Sequence, residues 1–253
     1  MISVVILGTG NLAQHLCQTF SKTNSIQLIQ VYGRNQSNLT WFSSYTKICS
    51  EPKEIAAADV YLIAVSDNAI EEVSHHLPDS NGIVAHTSGA TPMNVLSMQN
   101  RAVFYPLQTF TKGKTVDFGS VPICLEAQNV ESLEVLHNMA QAISSKVCHI
   151  NTEQRRQLHL AAVFTNNFTN YLYGIGEAIC KRNQISFDLL KPLIQETSNK
   201  IISLSPGEAQ TGPARRGDEK SMNQHLSLIS DCNEQEIYRL LSESIKTKYE
   251  KEL

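Results

Sequence analysis

The sequence predicts an α/β protein with two domains, a doubly wound parallel sheet followed by an all-helical domain. Two observations support this prediction. Short apolar runs alternate with helical patterns in the first part of the chain, which is typical of a parallel sheet covered by helices on both faces. After Asn151 the apolar runs stop and only helical periodicity continues. The predicted domains are therefore residues 1–150 and residues 151–253.

Eight strands are predicted in the first domain from short runs that are rich in β-branched and aromatic residues. They are Ile2–Leu7, Ile26–Tyr32, Lys47–Cys49, Asp59–Val65, Ile83–His86, Ala102–Tyr105, Pro122–Glu126 and Val147–Ile150. Helices are predicted in several of the gaps, at Asn68–His76, Thr91–Met98 and Val130–Ile143. In the second domain, one long helical stretch covers Thr152–Arg182, a second covers Phe187–Ser203, and one or two more lie between Asp218 and about Lys251. The Gly/Pro-rich segment Ser205–Gly217 between them is predicted to be a loop.

The first predicted strand runs directly into a glycine-rich turn and a helix. The turn reads Gly-Thr-Gly-Asn-Leu-Ala, and strand, Gly-x-Gly-x-x-Ala and helix in that order are the fingerprint of a dinucleotide-binding Rossmann domain. The first glycine permits the tight turn, and the second lets the backbone approach a pyrophosphate, which the helix N-terminus stabilises. The alternative is an ordinary strand–turn–helix that needs small residues for packing. The predicted cofactor-binding residues of this turn are Gly8, Thr9, Gly10, Asn11 and Leu12.

The end of the second predicted strand favours NADP over NAD. An acidic residue there would bind the adenosine ribose hydroxyls, whereas an arginine accommodates a 2′-phosphate. This strand is followed by Arg34 and Asn35, with no carboxylate in place, and the forked guanidinium suits a phosphate. A solvated arginine in a loop is the alternative.

The loops after the fourth and fifth predicted strands should also reach the cofactor, because ligands bind at the carboxyl ends of the strands. Val65 and Ser66 follow the fourth strand element and are predicted to pass the adenosine or ribose. His86 and Ser88, at the end of the next strand, would lie nearer the nicotinamide and substrate. For these two residues, turn and capping roles are an equal alternative.

The long helix of the second domain carries a polar stripe. At about 100° per residue, five polar residues fall on one side and phenylalanine and aliphatic residues fall on the other. A solvated face would be rich in Lys and Glu, whereas this one is rich in amides, which favours buried hydrogen bonding or a substrate site. The stripe consists of His159, Asn166, Asn170, Tyr173 and Glu177, of which His159, Asn166 and Asn170 are the predicted catalytic residues.

Composition excludes several classes of protein. The net charge of −3 and the pI near 6.2 argue against nucleic acid or an anionic membrane as a partner. No apolar run is long enough to span a membrane, and no basic segment precedes the first strand, so a cytoplasmic location is predicted. The six cysteines lack any Cys-x-x-Cys spacing and are predicted to be reduced and mostly buried.

No metal site is predicted. Glu71, Glu72, His75 and His76 have a ligand-like spacing on a helix. A solvated helix face explains the same residues, and we prefer that interpretation.

Five segments of the chain resemble one known family. Together they are similar to bacterial Rossmann-like proteins whose helical C-terminal half is the domain of unknown function 2520. This family is similar in layout to pyrroline-5-carboxylate reductase and to the 6-phosphogluconate dehydrogenase-like β-hydroxyacid dehydrogenases. The resemblance implies an NADP-dependent oxidoreductase that acts on a small molecule and dimerises through its helical domain. The segments are HTSGATPMNVL (86–96), FYPLQTF (104–110), HLAAVFTNNFTNYLY (159–173), PLIQET (192–197) and AQTGPARRGD (209–218).

One departure from the related β-hydroxyacid dehydrogenases concerns the proton donor. Those enzymes carry Lys-x-x-x-Asn on the long interdomain helix, but Ala162 and Val163 stand four residues before Asn166 and Asn167 here. His159 is predicted to replace the lysine, since imidazole suits acid–base chemistry near neutral pH; a structural histidine in the interdomain seam is the alternative.

The predicted function is hydride transfer between NADP and an unidentified small molecule at the interdomain cleft. A non-catalytic NADP-binding regulator or sensor is the alternative, and a partner-binding protein with a degenerate nucleotide site is a third. Arg215 and Arg216 could bind a carboxylate or phosphate, and Arg216 is preferred for that role. Amphipathic helices that carry Phe164 and Phe168 offer more apolar surface than a small helical domain can cover, which predicts a homodimer.

Overall fold

The structure, a computed structural model, describes residues 1–249. The chain divides into two compact units, one formed by Met1–Phe164 and the other starting at Thr165. The predicted domain boundary at residue 150 therefore lies inside the first unit, which also contains the helix Thr152–Ala162. Residues 250 and 251 of the last predicted helix lie outside the described residues.

The first unit contains one sheet with all eight predicted strands. The strands are β1 (Ile2–Leu7), β2 (Ile26–Tyr32), β3 (Lys47–Cys49), β4 (Val60–Ile63), β5 (Ile83–His86), β6 (Arg101–Pro106), β7 (Ile123–Ala127) and β8 (Val147–His149). Their order in the sheet is β3-β2-β1-β4-β5-β6-β7-β8. All neighbouring strands are parallel except β6 and β7, which run antiparallel. The predicted doubly wound α/β domain is confirmed, with one antiparallel pair that was not predicted.

The central strands are buried on both faces, as their apolar runs predicted. All side chains from Val4 to Leu7 in β1 and from Val60 to Ile63 in β4 are buried. Alternate residues belong to two different hydrophobic clusters, because successive side chains of a strand point to opposite faces. Ala13 of the first helix is fully buried against one face, so a small residue there does keep helix and strand close.

The helices of the first unit are α1 (Asn11–Phe20), α2 (Gln36–Leu39), α3 (Ile70–Ser74), α4 (Val130–Gln141) and α5 (Thr152–Ala162). The helix predicted over Thr91–Met98 is absent, and only a single 3₁₀ turn forms there, at Met93–Val95. The backbone groups of Thr91 are used elsewhere: its N–H donates to Ser88 Oγ, and its carbonyl accepts from the Arg155 guanidinium. Helical periodicity alone did not reveal these competing partners.

The second unit contains α6 (Thr169–Arg182), α7 (Lys191–Ser203), α8 (Pro206–Ala209), α9 (Glu219–Leu228) and α10 (Cys232–Tyr249). The four-residue helix α8 lies within the segment that was predicted to be a loop. Ser205 and Glu208 form a reciprocal capping box around it, and Pro206 occupies its first turn. The last two helices occupy the stretch where one or two were predicted.

The long helix predicted over Thr152–Arg182 is continuous but not uniformly α-helical. Residues Val163–Phe168 form a π-helical segment between α5 and α6. Its hydrogen bonds run from i to i+5, so each turn holds more residues than an α-helical turn. The assumption of a constant α-helical rotation from His159 to Glu177 was therefore wrong, because His159 precedes this segment and Asn170 follows it.

The six cysteines carry free thiols, and four of them are buried, which agrees with the prediction. Cys148 and Cys232 are exposed. Among the helices of residues 1–249, none is long and apolar enough to cross a membrane.

Candidate functional site

A pocket of about 450 Å³ lies where the order of the strands reverses. β1 stands between β2 and β4, and in such a sheet a crevice opens outside the carboxyl ends of the strands at this switch point. The turns that follow β1, β2 and β4 form most of the wall, and α3 closes one side. The lining residues are Gly8, Thr9, Gly10, Asn11, Leu12, Tyr32, Gly33, Arg34, Asn35, Asn38, Ala64, Val65, Ser66, Ala69, Val73 and Thr87.

Most of the predicted cofactor-binding residues meet at this pocket. Of the ten, nine line it: Gly8, Thr9, Gly10, Asn11, Leu12, Arg34, Asn35, Val65 and Ser66. Several lining residues were not predicted. Tyr32, Gly33, Ala64 and Thr87 could have been found because they stand at strand ends, whereas Asn38, Ala69 and Val73 depend on how their helices are oriented.

Ser88 is the predicted cofactor residue that does not line the pocket. Its hydroxyl oxygen accepts hydrogen bonds from the backbone N–H groups of Ala90 and Thr91, at 3.1 and 2.9 Å. The side chain thus holds the turn after β5, which is the capping alternative considered from the sequence.

The two glycines of the first turn have different roles. Gly8 adopts a φ of 128°, and a Cβ there would lie 2.1 Å from the carbonyl oxygen of Ala64, so a side chain cannot fit. At Gly10, a Cβ would meet no described atom within 4 Å. Gly10 also begins α1 without a side-chain cap, and the first turn of the helix holds no acidic residue. This helix start therefore lies uncapped at the pocket with space beside Gly10, an arrangement suited to an anion.

Arg34 lies at the end of the pocket beside β2. Its guanidinium is 3.4 Å from the Glu72 carboxylate, and both side chains are well exposed, at 67% and 60%. An exposed ion pair of this kind contributes little free energy, so a phosphate can replace Glu72 as the partner of Arg34. Beside it, Asn35 caps α2 through its Oδ1, which accepts from the Ser37 N–H.

His86 does not reach the pocket. It is fully buried in β5, and its Nδ1 accepts a hydrogen bond from the Ser88 N–H at 3.2 Å. Burial, together with the nearby Arg155 charge, lowers the pKa of His86 to about 4. His86 is thus a neutral residue that shapes the turn, rather than a contact for cofactor or substrate.

Arg155 was not identified from the sequence, yet it organises the loop after β5. Its side chain is fully buried, and Nη1 donates to the carbonyl oxygens of Ser88, Gly89 and Thr91 at 3.3, 3.2 and 2.7 Å. Nη2 donates to Glu126 Oε2 at 2.9 Å. Nothing in the sequence distinguishes this arginine from the exposed Arg156 beside it, because only the docking of α5 on the sheet buries it.

His159 lies against the same loop. Its Nδ1 is 3.1 Å from the Tyr105 hydroxyl. A Cβ on Gly89 would lie 2.5 Å from His159 Nδ1 and 2.7 Å from Tyr105 Cζ, so both rings pack directly on the glycine backbone. Thr87, which lines the pocket, precedes Gly89 by two residues in the same loop. The imidazole therefore packs on the loop whose first residue, Thr87, lines the pocket.

The two predicted catalytic asparagines belong to the second unit. Asn166 lies within the π-helical segment and Asn170 in α6, and both are exposed. Their predicted role stays a prediction.

The two arginines of the Gly/Pro-rich segment, Arg215 and Arg216, have different surroundings in the structure. Arg215 Nη1 donates to the carbonyl oxygens of Gly207 and Gln210, both at 2.7 Å, and its guanidinium lies 4.8 Å from the centre of the Tyr249 ring. Arg215 thus holds the fold of this segment, whereas Arg216 is exposed.

Two of the four residues with a ligand-like spacing in and after α3 have other partners. His76 Nδ1 is 3.0 Å from the Tyr32 hydroxyl, and Glu72 pairs with Arg34. The described residues contain no group of three or more His, Cys, Asp and Glu side chains that could hold a metal ion.

Comparison with known families identified two matches. The model of the domain of unknown function 2520 matches residues 121–245. The model described as NADP oxidoreductase, coenzyme F420-dependent, matches residues 3–85, which agrees with the NADP predicted from the sequence. No curated protein matches the chain.

Three solved structures illustrate the similarity. A Bacteroides fragilis protein described as a candidate NADP oxidoreductase is 35% identical, with 97% of this chain and 98% of that chain covered and a TM-score of 0.90. A Thermotoga maritima protein is 21% identical, with coverage of 98% and 99% and a TM-score of 0.76.

An Aspergillus terreus reductive aminase, in complex with NADPH and ethyl levulinate, shares the fold. It is 16% identical, with coverage of 99% and 94% and a TM-score of 0.70. The Bacteroides fragilis protein, at 35% identity over nearly the whole of both chains, shows a shared family and not only a shared fold. The chain belongs to the family of Rossmann-type NADP oxidoreductases whose C-terminal region is the domain of unknown function 2520.

Proposed function

We propose that this protein transfers a hydride between NADP(H) and a small organic molecule. The observation that carries the proposal is the pocket at the switch point, which combines an uncapped helix start above Gly10 with the guanidinium of Arg34. These are the two groups that a pyrophosphate and a 2′-phosphate require.

The pocket residues fit the parts of NADP in order. The backbone N–H groups of Asn11 and Leu12 would bind the pyrophosphate, and Arg34 with Asn35 would bind the 2′-phosphate. Ala69 and Val73 offer an apolar wall for the adenosine. When bound, the nicotinamide gives or accepts the hydride.

His159 is proposed to move the proton that accompanies the hydride. Imidazole is the side chain suited to proton transfer near neutral pH. The ring is half-buried and held between Tyr105 and Gly89, beside the loop that reaches the pocket at Thr87. A fixed imidazole at this point, when it is protonated on both ring nitrogens, would give one proton to a carbonyl or imine as the hydride arrives and return to the neutral ring.

The first test is turnover of NADPH against a panel of imines, ketoacids and 2-oxo acids, followed by the His159→Gln variant on any substrate found. Glutamine keeps much of the size and hydrogen bonding but cannot titrate. We expect the hydride-transfer step to slow by ~10²–10⁴-fold while NADPH affinity is unchanged.

The control is His137→Gln, which removes a histidine of the first unit that pairs with His149. It should leave the rate intact. If NADPH binds but no substrate is turned over, the non-catalytic sensor is the better interpretation. If His159→Gln lowers stability but not the rate per folded molecule, His159 is structural.

A further inference from the structure

The hydroxyl of Tyr105 is buried against His159. Tyr105 lies near the end of β6 and is 8% exposed. Its oxygen is 3.1 Å from His159 Nδ1, and the two rings meet edge to face at 67°, with centroids 6.0 Å apart. A strand and a helix of the first unit thus meet at one hydrogen bond.

The direction of this hydrogen bond follows from the phenol proton. Burial raises the pKa of Tyr105 to about 12, so the hydroxyl keeps its proton at neutral pH. A buried hydroxyl proton needs an acceptor. Within residues 1–249, the hydrogen bond found for this hydroxyl is the one to His159. If Nδ1 carried a proton, that proton and the phenol proton could not both lie between Nδ1 and the Tyr105 oxygen.

The neighbours of the pair prevent other arrangements. The rings rest on Gly89, where no side chain fits. The Gly89 carbonyl in turn accepts from Arg155, whose other nitrogen donates to Glu126. Because Arg155 also holds the carbonyls of Ser88 and Thr91, the backbone beneath the two rings is restrained on both sides of Gly89.

We propose that Tyr105 is a positioning residue for His159. Its hydroxyl donates to Nδ1 and holds the neutral imidazole in the tautomer with the proton on Nε2, so that Nε2–H is the group that can donate a hydrogen bond to a ligand. The tautomer follows from the contacts alone. The role of Nε2 toward a substrate rests on the proposed function.

The tautomer can be read directly by NMR. Two-bond ¹⁵N–¹H correlation spectra of the full-length protein, labelled at histidine, distinguish a protonated from an unprotonated ring nitrogen. Spectra recorded at about pH 8, above the ordinary imidazole range, would be assigned with the His159→Gln variant. We expect a protonated Nε2 and an unprotonated Nδ1 for His159. A protonated Nδ1 for His159 in the unaltered protein overturns the proposal.

The Tyr105→Phe variant tests whether the Tyr105 hydroxyl sets the tautomer of His159. Removing the hydroxyl should convert the His159 signals from one tautomer to a mixture. Unchanged signals in Tyr105→Phe would mean that the hydroxyl does not set the tautomer, and the proposal fails. The matched control is Tyr238→Phe, because the Tyr238 hydroxyl is 2.8 Å from His225 Nδ1 in the second unit. That variant should alter His225 and leave His159 unchanged.

A kinetic measurement links the tautomer to the proposed reaction. With a substrate in hand, Tyr105→Phe should lower kcat by about 10-fold, the size expected for one hydrogen bond, with KM and NADPH affinity unchanged. A normal kcat in a variant with mixed tautomers would refute the positioning role. If no substrate is found, the spectra still decide the tautomer, so failure of the proposed function is distinguishable from failure of this proposal.

Discussion

At the scale of single residues, cofactor preference depends on one side chain. Among the described residues that line the pocket, Arg34 is the one that carries a positive charge. Its partner Glu72 is exposed and held at 3.4 Å, a weak competitor for a dianionic phosphate that can bind the guanidinium in a forked geometry.

We predict that Arg34→Ala weakens NADP(H) binding by about 1.5–3 kcal/mol, the range for a hydrogen bond to a charged group. NAD(H) lacks the 2′-phosphate, so its affinity should hardly change. Titration of the variant with each cofactor measures the difference. Lys53→Ala, which removes an exposed cation outside the pocket, serves as the control. Equal losses for both cofactors would show that Arg34 does not bind the 2′-phosphate.

At the scale of secondary-structure elements, Arg155 joins α5 to the sheet. The guanidinium connects three carbonyls of the loop after β5 with the carboxylate of Glu126 on β7. Removing one partner of a buried ion pair is strongly destabilising, because the remaining charge is left uncompensated.

Arg155→Ala should therefore lower the free energy of unfolding of the first unit by about 3–5 kcal/mol, since it leaves the Glu126 carboxylate without its compensating charge and the loop carbonyls without the Arg155 donor. Denaturant unfolding followed by circular dichroism measures the loss. The neighbouring exposed arginine gives a matched control, because Arg156→Ala should change stability by no more than about 0.5 kcal/mol. Similar effects of the two substitutions would contradict the structural role of Arg155.

The elements differ in how well the sequence predicts them. All eight strands were predicted because a buried parallel strand must be apolar along its length, a signal that depends only on local sequence. The helix that was predicted over Thr91–Met98 does not form, because the backbone there is held by Arg155, which is distant in sequence. The π-helical turn at Val163–Phe168 also escaped prediction, since a helical wheel assumes one period throughout.

At the scale of the whole molecule, the second unit buries very few apolar residues. In the described part of this unit, the buried apolar residues are Cys180, Ala214 and Tyr249. In α7, by contrast, Leu193, Ile201 and Ile202 are 62%, 55% and 84% exposed. Exposed apolar surface of this kind marks an interface, so we propose a homodimer through the helical domain.

Sedimentation velocity at micromolar concentration should give the mass of a dimer. Leu193→Glu places a charge on the exposed apolar face of α7 and should shift the equilibrium toward monomer. The control is Val130→Glu, which changes an exposed apolar residue of the first unit and should leave the dimer intact. A monomeric unaltered protein would refute the proposal.

The sequence alone determined the strands, the turn from Gly8 to Leu12, and the cation at Arg34, because each depends on residues that are adjacent along the chain. Nine of the ten predicted cofactor residues line one pocket in the structure. They meet there because they follow the carboxyl ends of parallel strands, which lie at the same edge of the sheet. Only the tertiary structure decided that Ser88 and His86 hold a turn, that Arg155 is buried, and that Tyr105 meets His159. The contacts of Arg155 with the loop after β5 and of Tyr105 with His159 join residues more than fifty positions apart, which no local pattern encodes. For Ser88 and His86, the sequence offered a turn role and a cofactor or substrate role equally, and only the position of their side chains in the fold decided between them.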